Sequence, residues 1–249
     1  MTLPPWDHVG LLIVGGAVAG FVNVLAGGGS FLTVPLLVML GLPATVANST
    51  NRLAVFVQNV AAVAGFRSEG ISGIRLGVRL LPPVLAGSWL GAYVASEVPD
   101  ELFARVFGVA MLLVLPFVLR KPRVPTPGSP RTLSLPVHLA LYFGLGFYGG
   151  AIQAGVGIPL LLALVATGGL DLVRANSVKV VVIAALTAVA LLQFLWAEKV
   201  WLGYGLVLAV GTGIGGYAAS RLGARVGDRL IRPFLLVAVV VLALNLIFG

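Results

Sequence analysis

Apolar residues run through this chain in ten blocks, at approximately 9–26, 30–41, 45–65, 78–96, 102–119, 136–153, 157–168, 175–197, 200–219 and 232–248. Short polar or Gly/Pro-rich breaks separate them. Most are long enough to cross roughly 30 Å of hydrocarbon as a helix. The exceptions, 30–41 and 157–168, have 12 residues each, about 18 Å of helix and too short for a comfortable span. Each follows a Gly-rich break and holds an early proline, Pro35 or Pro159. They read as half-helices whose N-termini start inside the membrane. No basic n-region precedes the first block, so it is expected to be a retained span rather than a cleaved signal.

The segment 120–135 contains Pro122, Pro125, Pro127 and Pro130 beside Arg120, Lys121, Arg123 and Arg131. Proline this dense blocks helix and sheet pairing. It divides the chain into an N-terminal repeat (1–119), a cytoplasmic linker (120–135) and a C-terminal repeat (136–249). The repeats match in order: Gly20-Phe21 with Gly146-Phe147, Pro35-Leu36-Leu37 with Pro159-Leu160-Leu161, and Ala47-Asn48-Ser49 with Ala175-Asn176-Ser177. Gly91-Ala92-Tyr93-Val94-Ala95-Ser96 matches Gly215-Gly216-Tyr217-Ala218-Ala219-Ser220.

Composition makes lipid the solvent. The chain is 59% hydrophobic and 10% charged, whereas a soluble domain carries about 25% charged residues. The absence of cysteine excludes disulfides, zinc-thiolate sites, Fe–S clusters and Cys nucleophiles. Of the 16 Lys and Arg residues, 12 lie at 66–79, in the central linker, at Arg174 and at 220–232, while Arg105 and Lys199 fall near the loops between these. The positive-inside rule places the first group of loops in the cytoplasm and both termini outside, so the net charge of +8 needs no nucleic-acid partner. Trp6, Trp196 and Trp201 stand near block ends, as interfacial aromatics do. With five segments per repeat the two repeats are inverted. The expected fold is an all-α polytopic membrane protein of two inverted repeats with half-helices after Gly-rich breaks, a plan that places a transport site at the midplane.

Two basic residues remain inside apolar blocks, Arg52 and Lys179, just after the repeated Ala-Asn-Ser. A cation at bilayer depth costs at least about 2.5–3.5 kcal/mol on insertion scales. All eight acidic residues fall at block ends or in loops. Either an anionic ligand supplies the missing charge, or both side chains snorkel to an interface. Asn48, Ser49, Thr50, Asn51, Asn176 and Ser177 stand beside them, more than capping needs. The breaks at Gly28, Gly29 and Ser30 and at Gln153, Gly155 and Gly157 open the half-helices. Glycine permits close backbone approach, and a helix N-terminus favours an anion. The competing use of these glycines is helix packing, which is the preferred reading for Gly91 and Gly215. Gln58, Asn59 and Gln193 read as inter-helix glue.

No nucleophile–base pair, carboxylate pair or His/Glu metal spacing points to an enzyme, and no cofactor is expected. No ATP-binding domain is evident. The pattern Gly20-Phe21, Gly27-Gly28-Gly29-Ser30, Val34-Pro35-Leu36-Leu37 and Ala47-Asn48-Ser49-Thr50-Asn51 resembles the TauE/SafE sulfite-exporter family. The second set, Gly149-Gly150, Gly155-Val156-Gly157-Ile158-Pro159 and Ala175-Asn176-Ser177-Val178-Lys179, is similar to that family's second repeat. The resemblance implies an inner-membrane permease for a small sulfur-containing anion such as sulfite or a sulfonate, and a homodimer is compatible with it. Rocking of the halves would alternate access. A passive anion channel and a non-transporting scaffold are the alternatives. Without an intramembrane Asp, Glu or His relay, uniport or sodium coupling is expected ahead of proton coupling.

Overall fold

Proline and glycine decide where the helices begin and end. The computed structural model describes residues 3–119 and 133–222, which form nine α-helices. α1 (Trp6–Ala26), α2 (Ser30–Met39), α3 (Ala44–Ser68), α4 (Ile74–Glu97) and α5 (Asp100–Leu119) come from the first repeat. α6 (Leu135–Ala151), α7 (Gly157–Gly168), α8 (Leu172–Trp196) and α9 (Leu202–Leu222) come from the second. Pro5 and Pro43 precede α1 and α3 as extended N-cap residues, where a missing N–H costs nothing. Gly27 and Gly169 end α1 and α7 in the left-handed conformation, with φ of 80° and 61°, which glycine adopts without a Cβ clash.

The helices match the apolar blocks, but several extend beyond them. α4 begins at Ile74, ahead of Arg75 and Arg79, and α3 continues through Arg67. Hydropathy marks the lipid-facing length, whereas the helix continues into the polar boundary. α2 and α7, at 10 and 12 residues, are short, as expected. The tenth block (232–248), most of the linker, and Arg225, Asp228, Arg229 and Arg232 lie outside the described residues.

Among the described residues four helices, α1, α4, α8 and α9, are long and apolar enough to cross a membrane. α3 equals α8 at 25 residues but carries its polar stripe from Asn48 to Asn59. The outward faces are apolar: Val14 is 65% exposed, Leu192 67% and Val210 54%. Water would penalise such a surface; hydrocarbon does not. The chain is a multi-pass membrane protein.

Inside hydrocarbon the hydrophobic effect does not draw helices together, so close packing and inter-helix hydrogen bonds must. Glycines provide the packing. A Cβ on Gly20 would collide with the backbone of Thr212, and one on Gly211 or Gly215 with the carbonyls of Ile13 or Ala17, so α1 lies directly on α9. Gly87, Gly91, Gly146 and Gly150 do the same between α4 and α6. This supports the packing reading of Gly91 and Gly215. Ser88 Oγ donates to the Leu186 carbonyl (2.7 Å), tying α4 to α8. Thr212 Oγ1 donates to the Ala54 carbonyl (3.0 Å), tying α9 to α3. The sequence repeats are thus interleaved: α9 packs on α1 and α3, and α4 on α6 and α8.

Asp100 ties two helices together. In the first turn of α5, it accepts from the N–H groups of Ala44 (3.2 Å) and Thr45 (2.7 Å) and from the Thr45 hydroxyl (2.6 Å). It caps α3 from another helix. Losing a cap costs about 1–2 kcal/mol, so Asp100→Ala is expected to lower the melting temperature by several degrees while Glu101→Ala does not. Scanning fluorimetry in detergent measures both; equal effects would remove the capping role.

Candidate functional site

Both Gly-rich breaks end at one buried point. α1 stops at Gly27, and Gly28 and Gly29 lead to Ser30 at the start of α2. α6 stops at Ala151, and Ile152 to Val156 lead to Gly157 at the start of α7. A Cβ on Gly157 would lie 2.7 Å from the Gly27 Cα, and one on Gly27 would lie 2.8 Å from the Gly157 carbonyl carbon. The backbones of the two breaks therefore touch, and no side chain fits between them. Gly29 is packed under the Ala19 carbonyl, whereas a Cβ on Gly28 would meet only Phe31, at 3.5 Å.

The breaks differ in one respect. Gln153 follows Gly146 by the same interval as Gly27 follows Gly20. Gln153 is also left-handed, with φ of 64°, where a side chain costs on the order of 1 kcal/mol. Gly155 is left-handed as well (φ 76°). Buried Gln153 donates from Nε2 to Thr187 Oγ1 (2.8 Å), and its Oε1 has no hydrogen-bond partner among the described residues. Tyr148 reaches the same break, donating to the Ala154 carbonyl at 2.6 Å.

Arg52 is completely buried in α3. Its guanidinium donates through Nη1 to the Gly149 carbonyl and through Nη2 to the carbonyls of Gly150 (2.7 Å) and Ala151 (3.0 Å). The Phe194 ring lies 5.3 Å away on α8, within cation–π range. Asn48, one turn earlier, donates to the Ala151 carbonyl (3.1 Å). Lys179 is 1% exposed and donates from Nζ to the Val24 carbonyl at the end of α1 (2.8 Å). Val24 and Gly150 each stand four residues after the repeated glycine, Gly20 or Gly146. Each cation thus caps the C-terminus of the broken helix of the opposite repeat.

This corrects the snorkelling alternative, since neither side chain reaches an interface. It also gives both cations a partner that their neighbours in sequence do not reveal. A helix C-terminus carries only about half a negative charge, and among the described residues neither cation makes an ion pair. Counting the described residues, the centre stays net positive, and the Arg52 Nε has no acceptor among them.

The remaining expected residues divide. Asn51 Nδ2 donates to Ser30 Oγ across α3 and α2 (3.3 Å), and its Oδ1 has no partner. Ser49 and Ser177 donate to their own helices, to the carbonyls of Thr45 (2.6 Å) and Arg174 (2.8 Å). Thr50 accepts from the Trp201 N–H (3.0 Å), capping the start of α9. The two serines thus commit their protons to their own helices, while Thr50 is engaged as an acceptor. Asn176 is half-buried, and its Oδ1 has no partner. Gln58 does join helices, accepting from Asn23 Nδ2 (3.3 Å), while Asn59 bonds its own helix at the Val55 carbonyl (2.7 Å).

Sequence reasoning missed Asn23 and Thr187. Asn23 Oδ1 accepts from the Gly29 N–H (3.1 Å), which fixes the first break. Its signal was available: a lone amide in an apolar helix, just ahead of the glycines. Thr187 gave none, because a threonine within a helix satisfies itself locally.

The sequence profile of the family described as Sulfite exporter TauE/SafE matches residues 12–246. The chain is 27% identical to the Probable membrane transporter protein YfcA of Escherichia coli (strain K12), over 96% of this chain and 90% of that protein. It is 24% identical to the Probable membrane transporter protein ORF9 of Sinorhizobium sp, covering 95% and 91%. It is 27% identical to a Probable membrane transporter protein of Haemophilus influenzae, covering 93% and 91%. No solved structure matches it.

Proposed function

This chain belongs to the sulfite exporter TauE/SafE family of membrane transporters, and from that premise we propose that it carries a small sulfur-containing anion, sulfite or an organosulfonate, across the inner membrane by alternating access. One observation carries this reading: two buried cations, neither with an ion-pair partner among the described residues, flank the point where two half-helices begin. An oxyanion there meets a net positive centre. Its acceptor oxygens find donors in Arg52, Lys179 and the amides of Asn51, Gln58 and Gln153, and the N-termini of α2 and α7 add favourable dipoles.

The two repeats enter the membrane in opposite directions in this proposal, with both termini outside, as the basic loops require. The symmetric capping of α1 and α6 supports it. The site itself is not symmetric. Asn23 and Gln58 pair in the first repeat, where Gly149 lies against Leu186 in the second. Ser49 and Ser177 drop out of the proposed binding set, because their protons are donated within their own helices, whereas Thr50 accepts from the Trp201 N–H and keeps its proton for an anion.

Proteoliposomes containing the purified chain are expected to take up labelled sulfite at a rate that saturates with concentration and is inhibited by small sulfonates. Flux no greater than in protein-free liposomes would remove sulfite as substrate. A rate rising linearly without saturation would favour the channel alternative.

A further inference from the structure

We propose that the bodies moving against each other are not the two sequence repeats but two helix bundles that mix them, with Arg52 and Lys179 as the straps between. The first bundle is α1, α2, α3, α5 and α9; the second is α4, α6, α7 and α8. The partition follows from what joins each helix to its neighbours. Within the first bundle, α1 and α9 meet backbone to backbone through Gly20, Gly211 and Gly215. Thr212 bonds α9 to α3, and Asp100 binds α5 to the start of α3. Within the second, Gly87, Gly91 and Gly146 press α4 onto α6, and Ser88 bonds α4 to α8. Helices in such backbone contact have no side-chain layer that can shear, so each bundle moves as one piece.

Between the bundles such backbone contact is confined, in the described residues, to one point, Gly27 against Gly157, instead of running along a helix pair. α3 lies along α8. Among the described residues, the side-chain hydrogen bonds that cross are those of Arg52 and Asn48 to the end of α6 and of Lys179 to the end of α1. A cation bound to a carbonyl is held by partial charge and can exchange it for a full anion. The straps would therefore release when an anion takes their charge, which frees one bundle to rock on the other. This release step rests on the anion-transport reading; the partition into bundles does not.

The chain has no cysteine, so spin labels can be placed at will on exposed sites. One label pair joins Trp6→Cys on α1 to Leu222→Cys on α9: different repeats, one bundle. The other joins Leu192→Cys on α8 to Leu222→Cys on α9: one repeat, different bundles. Pulsed electron-spin distances are measured in liposomes for each pair, in the otherwise unaltered chain and with Arg52→Gln or Lys179→Gln, with and without sodium sulfite.

Both strap variants are expected to broaden the α8–α9 distance or shift it on the order of 5 Å, about one helical turn, with no ligand present. The α1–α9 distance should stay fixed throughout. Motion of the α1–α9 pair with a constant α8–α9 pair would restore the repeats as the moving bodies. No change in either pair in both strap variants would equally overturn the proposal. If the variants move the α8–α9 pair and sulfite moves neither, the bundles stand and sulfite fails as the releasing anion.

Discussion

Arg52→Ala is expected to reduce sulfite flux about 100-fold per folded molecule. That fold-change corresponds to about 2.7 kcal/mol, the scale of one or two hydrogen bonds to a charged group. The residue makes three, to Gly149, Gly150 and Ala151, and it is one of two buried basic side chains among the described residues. Removal leaves the end of α6 with unpaired carbonyls, so some loss of stability accompanies the loss of flux. Arg52→Lys separates the two effects. It keeps the charge but gives up the planar fork that reaches adjacent carbonyls, and should recover part of the flux. Flux is normalised to monodisperse protein after size exclusion. Folded Arg52→Ala with flux within about threefold of the parent would sink the cation's role in transport, since a role worth 100-fold cannot hide in that margin.

The second large effect concerns stability alone. Gly91→Leu and Gly215→Leu are each expected to destabilise the protein by about 3 kcal/mol or more, or to prevent its folding. A side chain at Gly91 would enter the Phe147 carbonyl, and one at Gly215 the Ala17 carbonyl. Backbone cannot move aside as a side chain can, and in lipid a separated helix pair regains nothing from the hydrophobic effect. Gly10 and Gly144 are the internal controls. Nothing lies within 4 Å of a Cβ at either, so Gly10→Ala and Gly144→Ala should stay within about 1 kcal/mol of the parent. Thermal denaturation followed by fluorescence distinguishes them; similar melting temperatures for Gly91→Leu and Gly144→Ala would refute the backbone-contact account.

The two substitution classes test different parts of one design. The glycine stripes hold α1 to α9 and α4 to α6. The polar and charged residues cross between the resulting bundles. Gln153 belongs with the second class: a residue in a strained backbone position, with an unpaired buried oxygen, is where a scaffold built for stability alone would place glycine, as the first repeat does at Gly27.

Much of this is legible in the sequence alone. The lengths and order of the described helices follow from apolar runs interrupted by Gly and Pro, because those signals are local: a span needs a fixed length of hydrocarbon, and a left-handed residue such as Gly27 ends a helix wherever it stands. The shortness of α2 and α7, the repeated motifs, and the presence of two cations without carboxylates nearby were equally plain. Tertiary structure alone decided what those cations touch. Their partners are the carbonyls of Val24 and of Gly149 to Ala151, and every residue carries a carbonyl, so an acceptor at a helix end leaves no mark in the sequence. Tertiary structure also decided that Ser49 and Ser177 donate to their own helices, that Gly27 meets Gly157, and that α9 lies with α1 and α4 with α6. Repetition along the chain records which segments are related. Which of them lie side by side is settled by whose glycines fit whose backbone, and that is a property of surfaces brought together from distant parts of the chain.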